Sequence, residues 1–474
     1  MRSLPAISVA GLTAWMIAFA VRVPPRDGDP WWQRWLGEQI LRGHALPRAL
    51  GNETFAARGA PWTPQEWLYS LLLAISQDHH LAWLVPAACG LAAGIALAAV
   101  AVRCRRRGVA DLYTAAAVVV CMLAMLQSFG ARPQVLGWAG VSLLLLLLEA
   151  DGIAAWMSVP LTVAWANLHA SVLLSPFVAL LFAAAQPAWR RLAVAVACAL
   201  AVLATPLGAD LPRYAVELSM SPIRGSIAEW APTSINSFAF SFGALPLLLM
   251  LVTFGRELPS RDRLLAAVFV PVLFFAVRNV PIFALVLAPV AFGAVPALRA
   301  RDLSRPRAVL ASRVTNACVA AALAATSVAA WRMAPSMPSI PSGLAQSLEK
   351  RAPTRPRVFC EDFAWCSVFL ASSTPVRVFM DGRADPYPPA VWHDYRDVID
   401  GRSDWASILR RYRVNAVMVR RDSPLDSLLA ARSAAWRSVA ADREARLYVK
   451  LMVRPRSGNA GTTVQSGSMG PWKT

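Results

Sequence analysis

The chain has 474 residues, 57% of them hydrophobic and 16% charged, with a mean hydropathy of +0.46. That is more apolar surface than a soluble core of this length can enclose, which excludes a soluble globular protein and indicates an integral membrane protein. The formal net charge of +19 rests almost wholly on arginine, since Lys350, Lys450 and Lys473 are the three lysines. The arginines fall in short blocks between apolar spans, as topology signals do, and this distribution argues against a nucleic-acid partner.

A first apolar span, 6–23, is followed by no small-residue cleavage site and reads as a retained membrane helix. The polar segment 24–67 comes next. It carries Asp27-Gly28-Asp29-Pro30-Trp31-Trp32-Gln33, an amphipathic run to Arg42 with Asp29 as its N-cap, and Gln65-Glu66-Trp67-Leu68 at its close. The segment is too polar to cross a bilayer and too rich in indole for a plain linker. It reads as a membrane-surface structure with Trp side chains at headgroup depth and carboxylates facing water.

A bilayer core takes about twenty apolar residues per helix, fewer where protein or water surrounds the ends. Further spans are expected near 81–102, 112–130, 134–149, 153–168, 169–187, 192–207, 243–254, 264–277, 280–297 and 309–331, about eleven in all. With a cytoplasmic N-terminus, the blocks Arg103 to Arg107, Arg190-Arg191, Arg256 to Arg263 and Arg299 to Arg313 all fall on the inside. This agrees with the positive-inside rule and puts the C-terminus outside.

The opposite face collects Asp27, Asp29 and Glu66, then Arg132-Pro133-Gln134, Asn167 and His169, Glu217 and Glu229-Trp230, and Arg278-Asn279. Polar groups at the ends of several spans on one face imply a shared water-filled cavity. An arginine at a membrane boundary points to function, because desolvating it without a partner is costly. The alternative is that Arg132 and Arg278 snorkel to headgroups or pair with Glu66, Glu217 or Glu229.

From about 332 the composition changes. Residues 1–331 form the membrane part, 332–454 alternate short apolar strands with helices and read as a small α/β domain, and 455–474 read as a disordered tail. The turn Asp381-Gly382-Arg383-Ala384-Asp385 follows a strand end, where it either docks this domain through a salt bridge or binds a ligand. No glycine-rich phosphate loop, no Cys-x-x-Cys and no metal-spaced histidine pair is present; His79-His80 is adjacent and interfacial. Cys360 and Cys366 lie close enough in sequence to leave a disulfide open.

The residues Asp27-Gly28-Asp29-Pro30-Trp31-Trp32, Pro61-Trp62, Glu66-Trp67-Leu68, Arg132-Pro133-Gln134, Asn167-Leu168-His169, Ile227-Ala228-Glu229-Trp230, Arg278-Asn279-Val280-Pro281 and Asp381-Gly382-Arg383-Ala384-Asp385-Pro386-Tyr387 follow one another as in a group of bacterial membrane proteins. The chain resembles that group, with its C-terminal α/β domain, and more broadly the GT-C superfamily of multi-pass glycosyltransferases. Gln33 and Gln65 stand where the group has histidines. The resemblance implies a polyprenyl-phosphate sugar donor, used at the outer face of the bacterial cytoplasmic membrane. It also implies a catalytic carboxylate at Asp27 or Asp29, and phosphate clamps at Arg132 and Arg278. Glu66, Asn167, His169 and Glu229 would bind and orient substrate, and a divalent metal is left open. Two other classes fit the same outline: a transporter or flippase for a lipid-linked sugar, and a non-catalytic scaffold whose 332–454 domain recruits an envelope protein.

Overall fold

A computed structural model describes residues 4–23, 28–299, 342–351, 356–371 and 376–451. Asp27, the expected span 309–331 and the tail 455–474 lie outside the described residues. Five stretches are long and apolar enough to cross a membrane: α1 (Leu4–Arg22), α4 (Leu84–Arg106), α6 (Pro133–Ala150), Phe240–Glu257 and Val277–Ala294. The last two contain α12 (Leu245–Phe254) and α14 (Val280–Ala294). Between them come α5 (Asp111–Leu126), α7 (Gly152–Trp156), α8 (Ser158–Ala166), α9 (Leu174–Ala185), α10 (Trp189–Ala201) and α13 (Ser260–Phe275). These overlap expected spans but have 5 to 16 residues each, short of the 18 or more of the five stretches above, so the count of about eleven full crossings is not reproduced among the described residues. Two helices fall inside segments expected as loop or connection: α3 (Trp67–Asp78) and α11 (Asp210–Met220).

Small residues set how closely the bundle packs. Gly90 and Gly94 lie one turn apart on α4, where α1 crosses it. A Cβ at Gly90 would come within 2.5 Å of the Ile17 Cα, and one at Gly94 within 2.2 Å of the Thr13 hydroxyl. The pair is a small-xxx-small contact, which gains dispersion energy by bringing two backbones together. The most enclosed stretch is Val277–Ala294, with 78% of its apolar window buried, whereas Phe240–Glu257 has 28% buried. The stretch holding α14 is thus the bundle's central post.

The C-terminal part is a five-stranded sheet in the order β2-β1-β3-β5-β4, made of β1 (Arg357–Cys360), β2 (Arg377–Val378), β3 (Ala416–Arg420), β4 (Trp436–Ala441) and β5 (Ala445–Lys450). β2, β1 and β3 are parallel, and β5 and β4 add antiparallel strands at one side. β4 is not expected from the sequence, because Arg437 and Ser438, on opposite faces of the strand, are both exposed and break any apolar alternation. A disulfide joins Cys360, at the end of β1, to Cys366 on the 3-10 helix Phe363–Ala371.

Two indoles of the first loop, Trp32 and Trp62, are buried in the protein and not at headgroup depth as expected. The α2 helix (Asp29–Gly43) packs against Phe363–Ala371, and Trp32, Leu36 and Trp62 are buried in one core with Val358, Cys366 and Phe369. Residues 53–55 extend the sheet beyond β2: the Phe55 N–H donates to the Val378 carbonyl at 3.0 Å, and the Val378 N–H donates to the Glu53 carbonyl at 2.8 Å. The sheet's apolar layer offers the indoles full burial in place of a half-wet headgroup site. Gly28 permits the contact, since a Cβ there would sit 2.1 Å from the Ala364 carbonyl oxygen.

Candidate functional site

Between the bundle and the C-terminal sheet lies a cavity of about 930 Å³. Each candidate side chain reaches it from the end of an element. Asp29 is the first residue of α2, one turn before Gln33; Gly28, not Asp29, occupies the N-cap position. Gln65 and Glu66 immediately precede α3, and Arg132 precedes α6. His169 opens the 3-10 turn Ala170–Leu173, Glu229 sits on the 3-10 turn Ala228–Trp230, and Arg278 is on the turn that leads into α14. All of these line one cavity. Asn167 does not: its side-chain amide donates to the Val163 and Ala204 carbonyls at 2.8 and 3.0 Å, tying off the end of α8.

Glu66 is the best-held carboxylate. Gln33 Nε2 donates to its Oε2 at 2.6 Å and Gln65 Nε2 to its Oε1 at 2.7 Å, while Gln65 Oε1 accepts the Ala170 N–H at 2.7 Å. The two glutamines that replace expected histidines therefore serve as neutral donors that orient Glu66. His169 Nδ1 accepts from the Ser171 N–H at 3.1 Å, so the neutral ring carries its proton on Nε2, which faces Glu66 Oε1 at 3.9 Å.

Asp29 Oδ1 accepts from Trp32 Nε1 at 3.1 Å, and its Oδ2 lies 3.9 Å from the Arg132 guanidinium. Arg132 is also ion-paired with Glu229. The Arg278 guanidinium stacks over the Trp230 ring, 4.5 Å from its centroid. Burial, with Glu66 next to it in effect, pushes the Asp29 carboxyl up to about 7. Asp385 is pushed up to about 7 in the same way, by burial and then by Glu66, and it bonds Tyr214. Burial also raises Glu66, against the pull of the two amide donors. Carboxylates crowded into one largely desolvated site cannot all ionise freely.

Asp385 and Tyr214 were not among the sequence candidates. The turn 381–385 carries a signal in the sequence, and its residues divide between a docking salt bridge and the cavity wall. Buried Arg383 pairs with Asp381 through Nε at 2.9 Å and Nη2 at 2.7 Å, reaches Glu53 with Nη1 at 3.1 Å, and lies 4.9 Å from the centroids of both Trp35 and Trp62. That half docks the sheet on the first loop. Two residues on, Asp385 faces the cavity. Nothing in the surroundings of Tyr214 in sequence marks it out. Among the described residues, no group of three His, Cys, Asp or Glu side chains is arranged to hold a metal ion.

An apolar multi-helix bundle is capped at one end by an acid-bearing loop and a small sheet, with a cavity between them that charged groups enter from several element ends, and the chain is a multi-pass membrane protein with a GT-C-like fold. Among solved structures it is similar to the archaeal oligosaccharyltransferase AglB from Archaeoglobus fulgidus in complex with an inhibitory peptide and a dolichol-phosphate, with a TM-score of 0.58 at 12% identity over 88% of this chain and 69% of that one. It is also similar to ArnT from Cupriavidus metallidurans, bound to undecaprenyl phosphate (TM-score 0.50) and in the apo state (TM-score 0.52), each at 14% identity over 94% of this chain and 97% of that one. At these identities the likeness is one of fold. No family model and no curated protein matches the chain, so the narrower bacterial group stays a resemblance of motifs.

Proposed function

We propose that the chain is a glycosyltransferase that takes a sugar from a polyprenyl-phosphate donor at the outer face of the bacterial cytoplasmic membrane. The observation that carries this reading is the meeting of Asp29, Arg132 and Arg278 in one cavity from three distant parts of the chain. An acceptor hydroxyl attacks the anomeric carbon, the bond from that carbon to the phosphate oxygen breaks, and the phosphate leaves with the bonding electrons. Asp29 takes the hydroxyl proton; with its pKa near 7 it is matched to that task at neutral pH. Asp27, outside the described residues, remains a second candidate for the base. Arg132 and Arg278 neutralise the phosphate. Trp138, Leu174, Phe177, Phe269 and Ile282 give the cavity an apolar wall suited to a prenyl chain. The neighbours solved with dolichol-phosphate and undecaprenyl phosphate support this class of donor.

The outside assignment rests on the arginine blocks. α6 runs 18 residues, about 27 Å, from Arg132 at the cavity to Glu149 among Arg103 and Arg107, so cavity and arginine clusters sit at opposite ends of the bundle. Reporter fusions after Arg107 should read cytoplasmic and fusions after Gly59 and Pro386 external.

The decisive test is to incubate purified protein with radiolabelled polyprenyl-phosphate sugars and follow transfer or hydrolysis, beside Asp29→Asn and an Asp27/Asp29 double variant. Label moving to an acceptor or to water in the wild type alone supports the reading. Donor binding with no transfer to any acceptor, water included, replaces it with a carrier or scaffold.

A further inference from the structure

Both guanidiniums that the proposed function gives to the donor phosphate are covered by consecutive side chains of one turn. The Glu229 carboxylate pairs with Arg132, and the Trp230 indole lies against Arg278. A second arginine, Arg224, stacks on the same indole at 5.1 Å, and the turn is tied down through the Val277 N–H, which donates to the Ala231 carbonyl at 2.9 Å. The turn belongs to the connection between α11 and α12, directly after a second short 3-10 turn, Pro222–Ser226. Glu229 keeps 34% of its side chain exposed, whereas Glu66 keeps 12% and is gripped by two amides.

Charge arithmetic decides what must happen when a phosphate enters. With Glu66 ionised, Glu66, Glu229 and the phosphate would place three negative charges against Arg132 and Arg278, before Asp29 or Asp385 ionises. Uncompensated like charges in a desolvated cavity are costly. Of the two glutamates, Glu229 is the one on a short turn and the less buried, at 34% against 12%. We propose that the Glu229-Trp230 turn is a gate: the Glu229 carboxylate and the donor phosphate compete for Arg132, and phosphate entry displaces the turn. This rests on the reading of Arg132 and Arg278 as phosphate clamps. The gate makes Glu229 a competitor of the donor and not a group that orients it.

Farnesyl phosphate, a short polyprenyl phosphate, is the probe, titrated by calorimetry into the full chain in detergent. Glu229→Gln keeps the shape and removes the charge, and it should bind the probe at least about tenfold tighter than wild type. Equal or weaker binding overturns the gate. Arg132→Ala and Arg278→Ala separate the two readings. If they weaken binding while Glu229→Gln leaves it unchanged, the gate alone falls; if they bind as wild type does, the clamp reading falls with it. A second measurement leaves Glu229 intact. The described free cysteines, Cys89, Cys104, Cys121 and Cys198, are all buried, so in a Cys318→Ser background Ile227→Cys, on the residue before the turn, gives an addressable thiol. Its labelling by a water-soluble maleimide should accelerate several-fold with farnesyl phosphate and not with farnesol. An unchanged rate overturns displacement of the turn.

Discussion

Arg103 supplies the hydrogen bond that Pro289 removes. Proline has no N–H for the Leu285 carbonyl one turn back in α14, and Arg103 Nη1 donates to that carbonyl at 2.9 Å, with Nη2 on the Val286 carbonyl at 3.1 Å. The same buried guanidinium pairs with Glu149 at 2.9 Å, and Arg107 links Glu149 to Asp262. Arg103→Met should therefore leave the Leu285 carbonyl without a donor and Glu149 with Arg107 as its remaining cation, and cost about 1–3 kcal/mol, read as a lower unfolding temperature in detergent. Pro289→Ala restores the missing N–H, so the double variant should recover part of the loss. Strict additivity of the two changes would sink the argument.

The proposed chemistry predicts a split between two kinds of variant. Asp29→Asn keeps shape and hydrogen bonding but cannot take a proton, so kcat should fall by roughly 10²–10⁴ with donor affinity held within about threefold. Arg132→Ala and Arg278→Ala should weaken donor binding and turnover together. Steady-state kinetics and equilibrium binding on the same preparations check this, and equal loss of binding in all three variants would remove Asp29 from the role of base.

Stability and turnover should respond to pH in opposite directions. Asp29 and Asp385 are raised from 3.8 to about 7, so the folded chain holds protons that the unfolded chain has released. Their contribution to stability is full below the ordinary carboxylate value and is lost as pH rises through about 7. Asp29→Asn or Asp385→Asn should then unfold roughly 1–3 °C above wild type at about pH 8, with the gap closing at about pH 5. Turnover, which needs an ionised base, should rise through the same range. The inflection belongs to the carboxylate cluster as a whole.

The docking pair makes a separate prediction. Arg383→Ala strands Asp381 in a fully buried position, where Tyr387 remains as a donor at 2.8 Å, and releases Glu53. The loss should be on the order of 3–5 kcal/mol and should act on docking more than on the sheet, whose strands do not include Arg383. Limited proteolysis should cut the first loop faster, with the Cys360–Cys366 bridge still formed. Unchanged cleavage would mean that the indole core alone holds the two parts together.

Much of the site could be read along the chain because its residues sit at the ends of apolar runs, where a charged side chain has no structural reason to be. Asp29, Glu66, Arg132, His169, Glu229 and Arg278 were visible on that ground. Tyr214 was not, because its helix lies in a segment that periodicity assigned to a loop. Asp385 belonged to a turn whose neighbours Asp381 and Arg383 explain themselves as a salt bridge. Asn167 shared the pattern of the others, yet local capping satisfies it. Trp32 and Trp62 misled most: an indole near a membrane boundary looks the same in sequence whether it meets headgroups or a sheet folded from the far end of the chain. The shortness of several helices was equally hidden, since apolar composition continues across breaks such as Met157, between α7 and α8.

The strand-like pairing of residues 53–55 with β2 also sets a timetable for biosynthesis. Thr54 Oγ1 donates to the Phe379 carbonyl across 325 residues of sequence. At the usual 5–20 residues per second, the ribosome takes roughly 15–65 s to make the partner after the loop has emerged. Throughout that wait Trp32, Leu36 and Trp62 have no sheet to cover them, and the backbone of 53–55 has no strand to join. The nascent chain therefore passes through a long period in which its first loop is both sticky and unpaired, and the yield of folded protein depends on what shields that loop before the last strands arrive.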